Sequence, residues 1–118
     1  MNSKISKEHS IKTGVPQGSI LSPILFLIFI NDIPIGVEKY TNESLLFADD
    51  LFNFFGNKNL NRLQLIMQKY LLSLEDWLKK WRLKASVNKC SYNIYVKRGN
   101  CTKELDLQLF GQKIKKGK

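Results

Sequence analysis

Leu45-Leu46-Phe47-Ala48-Asp49-Asp50-Leu51-Phe52-Asn53-Phe54-Phe55 is the stretch on which the fold turns. Two runs rich in apolar and aromatic residues flank a short polar break, the composition of two strands joined by a tight turn, so a β-hairpin is expected. Its tip carries adjacent aspartates. Neighbouring carboxylates repel, and burial raises the cost of charging either. A divalent cation removes that cost, and Mg²⁺ prefers hard oxygen ligands, usually one or two carboxylates plus substrate phosphates. The alternative is a pair of solvated turn residues, since aspartate suits turns for its own backbone hydrogen bonding.

Working outward, 118 residues make one domain or a piece of one. Hydrophobic and charged contents of 43% and 25% fit a globular chain and argue against disorder. The net charge of +9 is unevenly spread. Residues 1–60 hold five Lys and no Arg against six acidic residues, whereas residues 61–118 hold fourteen Lys/Arg against four. A basic half attracts polyanions, nucleic acid first and anionic membrane second; otherwise the lysines solvate a helix face. Cys90 and Cys101 are too few for a disulfide scaffold, lack zinc spacing, and have only His9 to assist them, so a reducing compartment fits best. The apolar run 20–30 is interrupted by Ser22 and Pro23 and falls short of the roughly 20 residues needed to span a bilayer. No signal peptide or membrane segment is expected, and cytoplasm or nucleus both remain open.

Upstream, residues 1–13 are polar and form an edge strand or a frayed start. Gly14-Val15-Pro16-Gln17-Gly18-Ser19 enforces a loop, in which Gly18 allows close backbone approach to a ligand. Ser22 as N-cap and Pro23 as first helical residue then start a helix over 23–32, apolar nearly all round and therefore expected to be buried. The pattern GxxxxGK[ST] of phosphate-binding loops is absent. Downstream, Gly56-Asn57-Lys58-Asn59 turns the chain into a long amphipathic helix. Leu60, Leu63, Met67, Tyr70, Leu74, Trp77 and Trp81 recur three and four apart on one stripe, widened by Leu71 and Leu78. Residues 91–96 alternate as a strand, Gly99-Asn100 turns, and Leu105, Leu107 and Leu109 alternate again before a turn at Gly111.

Gly14-Val15-Pro16-Gln17-Gly18-Ser19 with Leu21-Ser22-Pro23 resembles motif B of reverse transcriptases, and Phe47-Ala48-Asp49-Asp50 resembles their motif C. Both motifs, and Phe29-Ile30-Asn31-Asp32-Ile33-Pro34 between them, are similar to the non-LTR (LINE-type) retrotransposon enzymes, above all the jockey-like elements of arthropods. Trp77, Trp81, Leu83 and Asn88-Lys89-Cys90 look like the lead into motif D. The resemblance implies an α+β fold: a partial reverse-transcriptase palm over 1–118, with an antiparallel sheet, a buried motif B helix and a long amphipathic helix. It also implies RNA-directed DNA polymerase activity with two Mg²⁺ ions in the intact enzyme. Asp49 and Asp50 would be the catalytic metal ligands, Asp49 the stronger, and Lys89 would protonate or hold the leaving pyrophosphate. Pro16, Gln17, Gly18, Phe47 and Ala48 would line the site for templating base and nucleotide. Phe47 stands where tyrosine is common. RNA template, DNA primer, dNTPs and the remaining parts of the same polyprotein would be the partners, with no membrane.

One departure matters. The aspartate of motif A lies upstream of motif B in this family, and the thirteen residues before Gly14 contain no aspartate. Motif A, fingers and thumb are therefore expected to be absent, and this chain alone is expected to be inactive. A basic nucleic-acid-binding remnant without catalysis and a fragment without a stable fold are the competing expectations.

Overall fold

A computed structural model describes Ser10, Lys12, Gly14 and residues 17–34 and 42–118. Expectations for residues 1–9 and for Val15 and Pro16 fall outside the described residues. The chain divides into two units, Met1–Asp32 and Ile33–Lys118.

In the first unit, Gln17 and Gly18 form a turn, with Gly18 at φ 79°, a conformation glycine adopts without a Cβ penalty. Helix α1 follows at Ser22–Phe29. Its N-cap is Leu21 rather than Ser22, with no side-chain cap, and Pro23 occupies the first turn, where no amide partner is needed. Ile30 ends it, donating its N–H to the Phe26 carbonyl at 3.0 Å. The expected burial of this helix is not found: Ile24, Leu25, Leu27 and Ile28 are about half exposed or more, and only Ser22 and Ile30 are buried. A helix apolar on all sides needs partners on all sides, and the described residues do not cover it.

The second unit opens with the expected hairpin. Strands β1 (Asn42–Phe47) and β2 (Asp50–Phe55) pair antiparallel in continuous register, from Asn42 opposite Phe55 to Phe47 opposite Asp50. Helix α2 (Leu60–Lys80) begins at Asn59, whose side-chain oxygen accepts from the N–H groups of Asn61 and Arg62 at 2.9 and 3.1 Å. These bonds satisfy two of the four orphan donors of the first turn. Ile66, Tyr70, Leu74, Trp77 and Leu78 are buried, so the stripe is real but sits slightly round from the one expected; Trp81 caps the helix half-exposed. One flank of α2 meets the hairpin, where Phe55 and Tyr70 pack edge to face with centroids 5.5 Å apart. Leu60, Met67 and Leu71 pack instead against a core of Val87, Tyr92, Leu105, Leu107, Leu109 and Ile114.

The C-terminal part departs from a simple strand pair. Strand β3 covers only Ser91–Tyr92, β4 Gln108–Leu109, β5 Gln112–Lys113 and β6 Lys115–Lys116. β3 pairs parallel with β6, and β4 pairs antiparallel with β5, so the described residues of the unit form three two-stranded sheets rather than one antiparallel sheet. The reason is visible in the hydrogen bonds. Leu105, Leu107 and Leu109 do alternate into the core, but side chains take the place of a neighbouring strand at Leu105 and along the edge that faces α2. The Tyr92 hydroxyl donates to the Leu105 carbonyl at 3.1 Å and accepts from its N–H at 2.8 Å. The N–H groups of Asp106, Gln108 and Phe110 donate to Gln64, Gln68 and Glu75 of α2 at 3.1, 2.9 and 2.9 Å. Four helical residues rise about 6 Å and two extended residues about 6.6 Å. Gln64 and Gln68 thereby match alternate amides of a strand lying along the helix.

Phe110 and Gly111, at φ 51° and 71°, make the two-residue turn between β4 and β5. Phenylalanine there is strained by about 1–2 kcal/mol. Glu75 holds its N–H, and the Lys79 ammonium lies 5.9 Å from its ring centroid.

Candidate active site: a carboxylate pair on a hairpin tip

Because Phe47 pairs with Asp50, the hairpin loop has only two residues, Ala48 and Asp49. Such loops require a positive φ at the first central position, which Ala48 supplies at 53°. Glycine would adopt it freely, so the alanine stores about 1–2 kcal/mol of strain at the tip. The turn sets Asp49 in the loop and Asp50 as first residue of β2, on consecutive Cα atoms and both exposed. Period-2 alternation puts Asp50 on the outward face with Phe47, Leu45 and Phe52, all of them exposed. Ser44, Leu51, Asn53 and Phe55 are half-buried on the opposite side.

These residues supply hard oxygen donors from a fixed turn, which fits one end of a Mg²⁺ coordination shell. They do not make a complete cage, because no group of three or more His, Cys, Asp or Glu side chains converges among the described residues. The remaining positions would be filled by phosphate oxygens, water or a further carboxylate.

The other expected site residues are placed as follows. Gln17 and Gly18 are exposed in the turn of the first unit, and Pro16 lies outside the described residues. Phe47 and Ala48 are exposed and directly adjoin the aspartates. Lys89 ends a 3-10 turn, Val87–Lys89, and is exposed. Next to it the Cys90 thiol donates to the Ser86 carbonyl at 3.3 Å, and burial pushes the thiol up, away from the reactive thiolate form. Both cysteines are free. A cleft of about 390 Å³ near the C-terminus is lined by Tyr92, Glu104, Lys113, Ile114, Lys115 and Lys116. The Lys116 ammonium is already engaged there, donating to the carbonyls of Cys101 and Lys103 at 2.8 and 3.3 Å.

Three contributors were not expected from sequence. Ser44 and Asn53 lie opposite each other in the hairpin and are joined by a 2.6 Å hydrogen bond, with Tyr70 behind them on α2. Their signal was a polar residue in the middle of each apolar strand, on the side that faces inward.

Two exposed carboxylates on a strand-turn-strand, backed by an amphipathic helix, define a candidate hard-cation site. The sequence model of the family described as "Reverse transcriptase (RNA-dependent DNA polymerase)" matches residues 1–113, and the chain belongs to that family. Its similarity extends to mobile-element proteins of Drosophila melanogaster. It is 31% identical over 97 residues to the RNA-directed DNA polymerase from mobile element jockey, covering 77% of this chain and 11% of that protein. It is 33% identical over 84 residues to the probable RNA-directed DNA polymerase from transposon BS, covering 67% and 9%. The probable polymerase from transposon X-element is 30% identical over 84 residues, covering 70% and 9%. The chain thus spans about a tenth of the length of these curated relatives. No solved structure matches it significantly. The jockey-like, non-LTR resemblance is borne out. No helix among the described residues is long and apolar enough to cross a membrane.

Proposed function

We propose that this chain is a palm segment of an RNA-directed DNA polymerase and that Asp49 and Asp50 are its contribution to the catalytic centre. The observation that carries the reading is the two-residue turn, strained at Ala48, which presents adjacent carboxylates at an exposed tip in a chain of this family. Asp49 and Asp50 would hold divalent metal, Mg²⁺ in this reading, which when bound lowers the barrier to attack by a primer hydroxyl and steadies pyrophosphate as it leaves. The protein's own part is positional. The hairpin keeps both carboxylates outward, Phe47 and Ala48 border them, and Gln17 and Gly18 offer a turn whose backbone can approach a base or nucleotide closely. Lys89, exposed at the end of its 3-10 turn, would offer an ammonium to the leaving pyrophosphate.

The partners are RNA template, DNA primer, dNTPs and the rest of a larger polyprotein. A polymerase centre needs a further carboxylate, which the described residues do not bring to the tip. The purified chain is therefore expected to show no primer extension above a mock preparation. It is expected to bind template–primer in a Mg²⁺-dependent manner that Asp49→Asn weakens several-fold. Mg²⁺-dependent binding that ignores Asp49→Asn would sink the assignment.

A second reading, a basic binding segment without catalysis, is favoured by the net charge of about +10 on residues 61–118. It requires affinity that falls steeply with salt and is indifferent to Asp49.

A further inference from the structure

Tyr70 stands at the middle of α2 and is 1% exposed. Its ring packs edge-on against Phe55 of β2, while its hydroxyl is buried, and no described residue closes a well-formed hydrogen bond on it. The groups it faces are Ser44 and Asn53, whose own mutual bond is 2.6 Å long. Three polar groups therefore converge where helix and hairpin meet, a place that apolar side chains would fill without desolvation cost. Phenylalanine at 70 would spare the fold a buried hydroxyl that lacks a full partner. Asn53 lies three residues, roughly 10 Å of strand, from Asp50.

Apolar contact between Phe55 and the helix is non-directional and tolerates sliding. A polar cluster is directional, because a shift of the hairpin along α2 would carry the Ser44–Asn53 pair away from the Tyr70 hydroxyl and leave that buried group with no polar neighbour. We propose that Tyr70 is a positioning residue: acting with the Ser44–Asn53 pair, it fixes where the β1–β2 hairpin seats on α2, and so where Asp49 and Asp50 are carried. Only the last clause rests on the carboxylate assignment proposed above. Burial raises the Tyr70 phenol above its usual range, and Ser44 and Asn53 offset this only in part, so the group stays neutral.

The test is a double-mutant cycle of Tyr70→Phe and Ser44→Ala, read by urea unfolding. Seating through the cluster makes the two changes non-additive by at least about threefold in the folding equilibrium constant. In Tyr70→Phe, amide exchange over residues 45–47 and 50–52 should lose protection by about tenfold, while residues 105–109 keep theirs. Additive effects with unchanged protection at the hairpin would overturn the proposal and leave Tyr70 a space-filling core residue. Mn²⁺ broadening at the tip separates the two claims. Weaker Mn²⁺ binding in Tyr70→Phe than in wild type supports the final clause. Wild type that binds no Mn²⁺ contradicts the carboxylate assignment, and the cycle and exchange data still decide the seating.

Discussion

Tyr92→Phe removes one oxygen atom and keeps the ring, so its effect isolates the two hydrogen bonds to Leu105. The Tyr92 hydroxyl satisfies both backbone groups of Leu105, which is 1% exposed and out of reach of solvent. Without the hydroxyl, a buried N–H and a buried carbonyl lose their partners. Each orphaned group costs about 1–3 kcal/mol, so the variant should lose about 2–4 kcal/mol after partial relaxation. That is a large share of the roughly 5–15 kcal/mol that stabilises a whole domain. For a unit of this size it should lower the thermal midpoint by more than about 8 °C. Urea unfolding followed by tryptophan fluorescence measures the change, with an unaltered slope showing that only stability moved. Tyr95→Phe is the control: Tyr95 is 89% exposed, and its loss of a hydroxyl should change nothing measurable. A Tyr92→Phe loss below about 0.5 kcal/mol, the range of ordinary surface substitutions, would refute the claim that the Tyr92 hydroxyl stands in for a neighbouring strand at Leu105.

Three further outcomes follow from the same contacts. Asn59→Ala should cost about 1 kcal/mol in urea unfolding, because it frees the two amides now capped at the start of α2. Ala48→Gly should raise stability by up to about 1 kcal/mol by relieving the positive φ at the tip, as differential scanning calorimetry would show. Glu75 is held below the usual carboxyl range, chiefly by its 2.6 Å bond from Lys79 and then by the Phe110 N–H. A depressed folded-state value stabilises above the unfolded pKa near 4.5 and is lost as pH falls through the folded one. Wild type should therefore lose more stability than Glu75→Gln between pH 5 and about pH 3 in acid titrations followed by circular dichroism.

The hairpin was legible because two independent signals agreed, alternating apolar residues and an Asp-Asp break of the right length. The long helix was legible for the same kind of reason, its spacing of three and four extending over some twenty residues, although Ile66 rather than Leu63 proved buried. Burial of α1 was misread, since composition states what a helix would bury but not whether a counter-surface is at hand. The strand pair at 91–109 failed differently. Leu105, Leu107 and Leu109 carry a strand's alternation, yet Leu105 is held by the Tyr92 hydroxyl and the intervening amides of Asp106, Gln108 and Phe110 by Gln64, Gln68 and Glu75, side chains distant in sequence that no periodicity reveals. At the candidate site the aspartates announced themselves, whereas Tyr70 was hidden inside the helix stripe. Ser44 and Asn53 passed as ordinary strand residues until their pairing across the hairpin became visible.

Everything proposed about chemistry depends on the carboxylate tip holding a divalent cation. The direct measurement is Mn²⁺ titration of the ¹⁵N-labelled chain, followed by paramagnetic broadening of backbone amides. Saturable broadening centred on Ala48, Asp49, Asp50 and Leu51 is expected, displaced by excess Mg²⁺ and abolished in Asp49→Asn/Asp50→Asn. Broadening spread evenly over the acidic residues, or unchanged in the double variant, would contradict it.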